Sequence, residues 1–348
     1  MDWVELIGAL ILILLAAELF TNGVEWVGET MGLSQGAVGS VLAAVGTALP
    51  ETLLPLVAIA VGHPSGKSIG IGAILGAPFM LGTLAMFVLG VSVLIFARGG
   101  RRSTDLRGDR RVLLQDLGYF LAMYSLALVA GLWHARWFKW LLAIALFVGY
   151  ILYVKRHFES PTSEEEREAA GEIKPLYALR LAGRVRQRTM HNPTPPSPAL
   201  SIAQSVIALA AIVGGARLFV DGVETISNTF HIPALAISLL LAPLATELPE
   251  KFNSVIWVHR GKDTLALGNI TGAMVFQSSF PVTIGILLTP WRFTGPANVD
   301  ELVAAVVAIG AGAVLWITLL VRGRLGARLL LVQGAFYVGF VTFVLARI

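Results

Sequence analysis

The chain has 348 residues, of which 56% are hydrophobic and only 14% are charged. A soluble domain carries about 25% charged residues, so this composition excludes an ordinary soluble globular protein and predicts an integral membrane protein. The absence of cysteine excludes disulfides and thiolate metal sites. The N-terminus begins with Asp2 and Glu5 and has no small-residue cleavage site after its first apolar run, so we predict no cleaved signal peptide.

Apolar segments of about 20 residues, the length that crosses a bilayer, recur along the whole chain. We therefore predict an all-α integral membrane protein with about ten transmembrane helices. The approximate bounds of the predicted spans are 4–27, 36–60, 68–96, 112–131, 137–154, 199–221, 233–258, 264–288, 299–321 and 328–346. The second, third, seventh and eighth spans contain glycine, proline or charge near their centres. The fourth, fifth, ninth and tenth are plainer and are predicted to be lipid-facing packing helices.

Lys and Arg residues are distributed unevenly between alternate loops. If the N-terminus lies outside, 19 of the 26 basic residues fall in inside loops and five fall outside. Basic residues favour the cytoplasmic side of a membrane. The sequence therefore predicts that both termini lie outside and that the chain crosses the cell (inner) membrane many times.

One sizeable polar segment, residues 155–198, separates two apolar halves. It contains an acidic run at 163–168, predicted to be a short solvated helix, and a proline-rich run at 192–198, predicted to be a stiff linker. We predict a first five-helix repeat at 1–154, a cytoplasmic linker at 155–198 and a second five-helix repeat at 199–348. For the linker, a plain tether and a regulatory role both remain open.

The two halves share sequence motifs at nearly constant offsets. ELFTNGVEWV at 18–27 corresponds to RLFVDGVETI 199 positions later, and GTALPE at 46–51 corresponds to ATELPE at the same offset. GAILGA at 72–77 corresponds to GNITGA at an offset of 196. Each predicted half has an odd number of spans, so the second half enters the membrane from the opposite side. Inverted repeats of this kind are typical of transporters that work by alternating access.

Two glutamates stand out because an ionisable residue at membrane depth indicates a functional site. Glu51 follows Pro50, and Glu250 follows Pro249. We predict that each proline breaks its helix and frees backbone carbonyls. In an inverted repeat the two carboxylates would face each other near mid-membrane, where they repel unless a cation or a proton lies between them. The sequence therefore predicts a cation site, with paired structural charges as the alternative.

Neutral oxygen ligands are available beside the two glutamates. Thr47 and Thr246 lie one turn before them, although a threonine in a helix commonly bonds its own backbone. Gln277 is a further candidate ligand. Such oxygens suit hard cations, including Na⁺, Ca²⁺, Mg²⁺ and Mn²⁺.

Two charged residues occur only in the second half: Glu247 and Lys251 replace Ala48 and Thr52 of the first. Their i, i+4 spacing predicts an ion pair. In one interpretation Lys251 only neutralises Glu247 for membrane insertion. In the other, the ammonium occupies part of the cation cavity as a counter-charge and reduces the number of cations bound, with Glu247 among the metal ligands.

Small residues and one further charge pair are predicted to serve helix packing. Glu18 and Arg217 hold equivalent places in the first and sixth spans, and we predict that they pair across the two halves. Small-xxx-small spacing, which permits close helix approach, occurs at Gly70, Gly72, Gly76, Gly268 and Gly272.

With these motifs the chain resembles the calcium/cation antiporter superfamily, and the sodium/calcium exchanger family in particular. That family has two inverted five-helix repeats, each with a Gly-Thr-Ser-x-Pro-Glu segment followed by a Gly-Asn-x-x-Gly-Ser-Asn segment. The resemblance covers essentially the whole chain. It implies that Glu51 and Glu250 are the central cation-binding carboxylates, with Thr47 and Thr246 beside them.

The chain departs from the family pattern at several hydroxyl and amide positions. The residues found there are Ala48, Ala77, Leu81, Glu247, Ala273 and Gln277. These replacements leave fewer neutral ligands than several Na⁺ sites would need, which favours coupling to H⁺.

The sequence as a whole predicts a secondary active antiporter that exchanges Ca²⁺ or another small cation for Na⁺ or H⁺. We predict that it is not an enzyme and needs no cofactor beyond the transported cations. Its predicted partners are the lipid bilayer and small inorganic cations, with no nucleic acid. The alternative is a non-transporting membrane sensor or partner protein whose site is filled by Lys251.

Overall fold

The computed structural model describes residues 2–31, 43–98, 100, 102–159, 174–181 and 196–347. Helices dominate this part of the chain. They are α1 (Asp2–Thr30), α2 (Ala43–Ala60), α3 (Gly66–Met80), α4 (Met86–Ala97), α5 (Arg110–Leu132), α6 (Arg136–Glu159), α7 (Tyr177–Leu181), α8 (Pro198–Phe230), α9 (Ala234–Thr246), α10 (Leu248–His259), α11 (Asp263–Leu288), α12 (Val299–Arg322) and α13 (Ala327–Leu345). A π-helical turn, Leu81–Ala85, joins α3 to α4.

Within these residues, eight helices are long and apolar enough to cross a membrane, with α3 and α4 counted as one. They confirm the prediction of an all-helical membrane protein. The second and seventh predicted spans differ from the other eight. The second contains the shorter helix α2, and its residues 36–42 lie outside the described chain. The seventh is divided into α9 and α10.

Helices of the first half pack directly on helices of the second. Leu6 lies beside Gly222 and Gly23 beside Ser205, so α1 and α8 run antiparallel along their lengths. Helices α3 and α9 run parallel to each other, because Gly72 contacts Leu235 and Gly76 contacts Leu239. One large hydrophobic core consequently contains residues from both halves.

Two contacts tie together the loops that the charge distribution places inside. A short antiparallel ladder joins β1 (Asp105–Leu106) to β2 (Leu325–Gly326). Nearby, the Arg102 guanidinium lies 2.7 Å from the Asp263 carboxylate and donates to the carbonyl of Val258 at 2.6 Å. The ends of α4, α10 and α12 are thereby held together.

The described part of the polar linker, residues 174–181, docks on α1. Tyr177 Oη donates to Glu18 Oε1 at 2.7 Å, and Lys174 Nζ lies 3.0 Å from the same oxygen. The Lys174 carbonyl accepts hydrogen bonds from Asn22 Nδ2 at 3.0 Å and Trp26 Nε1 at 2.9 Å. Burial and the hydrogen bond to Glu18 raise the pKa of Tyr177 to about 12, so the phenol remains a donor at neutral pH.

This docking overturns one packing prediction. The expected Glu18–Arg217 pair is wrong, because Glu18 pairs with Lys174 while Arg217 is exposed on α8. The cation that pairs with Glu18 comes from the linker residue Lys174 and not from Arg217, which holds the equivalent position in the second half. The predicted acidic helix at 163–168 lies outside the described residues, as does most of the proline-rich run, whose last residue, Pro198, begins α8.

Candidate functional site

The backbone is interrupted between α9 and α10. Thr246 ends α9, Leu248 begins α10, and Glu247 stands between them with φ −99° and ψ 3°. Pro249 has no N–H, so the carbonyl four residues earlier loses its helical donor. The predicted break at this proline is confirmed. It places Glu250 in the first turn of α10, where the helix dipole favours a negative charge.

The corresponding break at Pro50 is not present. Within the described residues α2 continues from Ala43 to Ala60 through both Pro50 and Pro55, so the prediction of a broken helix there was wrong. Proline removes one backbone hydrogen bond, but its fixed φ is compatible with a helix. The continuous helix α2 packs against α1, α3 and α8.

Glu51 and Glu250 are both buried, with 7% and 5% of their surface exposed. Gln277 Nε2, on α11, donates to Glu51 Oε2. Glu51 Oε1 and Glu250 Oε2 have no hydrogen-bond partner among the described residues. The charges of Glu250, Glu247 and Lys251 all act on Glu51, so the four groups belong to one electrostatic cluster.

Glu247 and Lys251 form the predicted ion pair, with Lys251 Nζ 3.3 Å from Glu247 Oε2. Glu247 is fully buried at 0% exposure, and Lys251 is also buried. The ammonium lies 3.5 Å from the carbonyl of Pro243, on α9. The only basic side chain of this cluster is therefore oriented toward the helix break.

A small cleft lies beside these charges. Thr246 is buried and its Oγ1 donates to the Ala242 carbonyl at 3.3 Å, which leaves its lone pairs for other partners. Thr47 belongs to α2, but its side chain lies outside the described part of the chain. The cleft is lined by Glu51, Leu54, Pro55, Ala73, Ala77, Ala242, Pro243 and Thr246.

Asn269 supports the site in a way that the sequence interpretation did not specify. Its Nδ2 donates to the Glu250 backbone carbonyl at 3.0 Å and to Ser254 Oγ at 3.2 Å. The side chain therefore fixes the start of α10 against α11. The available signal was its place in the GNITGA motif, where the first half has Ala73.

Sequence interpretation also missed a second buried polar cluster, which is centred on one carboxylate. Asp116, on α5, accepts hydrogen bonds from Tyr153 Oη at 3.0 Å and Thr271 Oγ1 at 2.6 Å. The fourth span was predicted to be a plain packing helix, which is wrong at this position. A lone aspartate within an apolar span was the signal that could have revealed it.

The fold and the cluster formed by Glu51, Glu247, Glu250 and Lys251 define a multi-pass helical membrane protein. Its interior contains carboxylates, an ammonium and neutral oxygen groups. The family model described as "Sodium/calcium exchanger protein" matches residues 1–156 and 200–346. The chain belongs to this sodium/calcium exchanger family.

Two curated relatives show the same similarity over most of the chain. CaxA from Alkalimonas amylolytica, provisionally described as an antiporter, is 27% identical over 290 residues, covering 81% of this chain and 79% of the relative. The inner membrane protein YrbG from Escherichia coli is 23% identical over 289 residues, covering 82% and 79%.

Solved exchanger structures share the fold. The H⁺/Ca²⁺ exchanger CAX aligns with a TM-score of 0.69 at 13% identity, covering 99% of this chain and 82% of CAX. The sodium-calcium exchanger NCX_Mj aligns with a TM-score of 0.57 at 20% identity, covering 98% and 97%. The resemblance to exchangers therefore includes the arrangement of the helices.

Proposed function

We propose that the chain is a secondary active cation antiporter that exchanges Ca²⁺ or another small cation for Na⁺ or H⁺ by alternating access. The observation that carries this proposal is the pair of buried glutamates, Glu51 and Glu250, each with a carboxylate oxygen that has no hydrogen-bond partner in the part of the chain that the structure describes. A buried anion without a partner is strongly unfavourable unless a cation or a proton compensates it. Family membership supports cation antiport in general.

Each candidate residue has a proposed role in binding the transported cation. Glu51 and Glu250 are the central carboxylates, and Glu247 is a third. The neutral oxygens come from Thr47, Thr246 and Gln277, and Lys251 is the counter-charge. Such a set contains only hard ligands, which suits Ca²⁺, Na⁺ and protons better than soft metals.

We further propose an architecture of ten spans in two inverted repeats, with residues 155–198 in the cytoplasm and both termini on the other side of the inner membrane. The shared motifs at offsets of 199 and 196 and the basic residues of the inside loops support this arrangement. Packing of α1 on α8 and of α3 on α9 is compatible with it, because each contact joins one half to the other.

A second candidate function is favoured by one specific observation. Lys251 Nζ already lies 3.3 Å from Glu247 and 3.5 Å from the Pro243 carbonyl, as a bound cation could. A permanently bound ammonium would suit a non-transporting sensor or partner protein. The two functions differ in whether an added cation is bound.

Purified protein reconstituted into liposomes distinguishes the two functions. We expect an imposed gradient of Na⁺ or H⁺ to drive ⁴⁵Ca²⁺ movement, or a Ca²⁺ gradient to drive ²²Na⁺ or proton movement. The transported cation should also raise the thermal stability, by about 2.7 kcal/mol at 100 times its Kd. If no tested cation moves and none changes the melting temperature, the antiporter is excluded and the non-transporting function is favoured.

A further inference from the structure

Helix α11 presents an amide side chain to each of the two site glutamates. Near the start of the helix, Asn269 Nδ2 donates to the Glu250 backbone carbonyl at 3.0 Å. About two turns further on, Gln277 Nε2 donates to Glu51 Oε2. A rotation of α11, or a shift along its axis, would therefore move both amides away from the site at once.

Thr271 lies between these two amides in the sequence but on the opposite face of the helix. An α-helix turns by about 100° per residue, so Asn269 and Gln277 lie about 80° apart around the axis of α11. Thr271 lies about 160° from the midpoint between them. It is fully buried, and its Oγ1 donates to Asp116 Oδ2, on α5, at 2.6 Å. This hydrogen bond thus holds α11 from the side that faces away from the site.

The carboxylate that accepts this bond is itself held by a third helix. Asp116 is buried, and its Oδ1 accepts a hydrogen bond from Tyr153 Oη, on α6, at 3.0 Å. Two apolar side chains would fill the same space without the cost of burying a carboxylate. A hydrogen-bonded polar network instead fixes one arrangement of the helices that carry it. The described lining of the cleft beside Glu51 includes no residue of α5, so Asp116 acts on a bound cation through α11.

We infer that Asp116 is a positioning residue for the cation site. Its hydrogen bond to Thr271 fixes the rotation and the axial position of α11, and so holds the two amides against the site glutamates. The inference rests on the proposed antiport function and adds to it a residue outside the cleft. Removing the hydrogen-bond partners that orient metal ligands commonly lowers metal affinity by about 10–100-fold. The affinity for the transported cation should therefore depend on a bond that does not touch the cation.

Thr271→Val tests the inference, because it removes the hydroxyl and keeps the branched shape of the side chain. We expect the cation concentration for half-maximal ⁴⁵Ca²⁺ or ²²Na⁺ uptake into liposomes to rise by about tenfold. The maximal rate should stay within about twofold of the wild type, since the side chains that contact the cation are unchanged. Thr271→Ser keeps the hydroxyl and should return the half-saturating concentration to within about twofold of the wild-type value.

Thr283→Val is the matched control on the same helix. Thr283 is also buried and lies six residues after Gln277, as Thr271 lies six residues before it. Its Oγ1 donates to the backbone carbonyls of Ala143 at 3.4 Å and Ser279 at 2.9 Å, and these acceptors carry no charge. We expect its half-saturating concentration to stay within about twofold of the wild type.

Asp116→Leu is a second, independent variant, which removes the acceptor in place of the donor. It should also raise the half-saturating concentration by about tenfold. Because both changes remove the same bond, the double variant Asp116→Leu/Thr271→Val should stay within about twofold of the weaker-binding single variant.

Two results would overturn the inference while the antiporter stands. In the first, Thr271→Val raises the half-saturating concentration no more than Thr283→Val does. In the second, Thr271→Val or Asp116→Leu lowers the melting temperature and leaves the half-saturating concentration unchanged, as a purely structural bond would. If the wild-type protein moves no cation, the proposed function itself is overturned, and the inference with it.

Discussion

Replacing either Glu51 or Glu250 with glutamine should lower cation exchange by about 100-fold. Glutamine preserves the size of the side chain but removes one of the two carboxylates that are proposed to bind the transported cation. Interactions with a charged group contribute about 1.5–3 kcal/mol, and about 3 kcal/mol corresponds to a 100-fold change in affinity. Initial rates of ⁴⁵Ca²⁺ or ²²Na⁺ uptake into liposomes measure the loss.

Glu301→Gln is the matched control for this experiment. Glu301 is also buried and also has a carboxylate oxygen without a hydrogen-bond partner among the described residues, but it lies in the first turn of α12. We expect its exchange rate to stay within about twofold of the wild type, since α12 supplies none of the described residues that line the cleft beside Glu51. Wild-type rates in Glu51→Gln or Glu250→Gln would exclude these residues from the transport cycle.

Gly76→Ala should disrupt the contact between α3 and α9. A methyl group at this position would overlap the carbonyl oxygen of Leu239, which is part of a helix backbone and cannot rotate away. Because Ala77 of α3 and Pro243 of α9 line the cleft beside Glu51, separating the helices also displaces the site. Overpacking of this kind costs about 1–3 kcal/mol, so both the melting temperature and the exchange rate should fall.

Gly268→Ala provides the control, because both glycines belong to corresponding motifs but their surroundings differ. A Cβ atom at Gly268 would meet no heavy atom of a neighbouring described residue within 4 Å. Alanine is also the better helix former by about 1 kcal/mol, so this variant should be as stable as the wild type or more stable. If Gly76→Ala unfolds at the wild-type temperature, or if Gly268→Ala is the less stable variant, the assigned close contact is wrong.

The sequence was sufficient to predict the helical membrane fold and the family, because apolar length and paired motifs are local properties of the chain. The same locality explains the Glu247–Lys251 pair, which follows from i, i+4 spacing at the start of α10. The closeness of Gly72 and Gly76 to α9 also follows from small-residue spacing.

The features that sequence analysis missed depend on contacts between distant segments. Pro50 and Pro249 occupy equivalent motif positions, yet only the second coincides with a helix break, and identical local signals cannot distinguish them. Glu18 pairs with Lys174 across 156 positions, and Asp116 accepts a hydrogen bond from Thr271 across 155. The spacing of apolar residues along a helix carries no information about partners this far apart in the sequence. The glycine motifs of the two halves also predicted similar close packing at Gly76 and Gly268. Among the described residues, Gly268 makes no close contact of the kind seen at Gly76.

The central claim is that Glu51 and Glu250 together bind the transported cation. A crystal of this protein soaked with Mn²⁺, measured at the manganese absorption edge, tests it directly. We predict one anomalous peak within about 2–2.6 Å of a carboxylate oxygen of both Glu51 and Glu250, the range of hard-cation bonds to oxygen. A site without a peak, with the Lys251 ammonium between the two carboxylates, would contradict the claim.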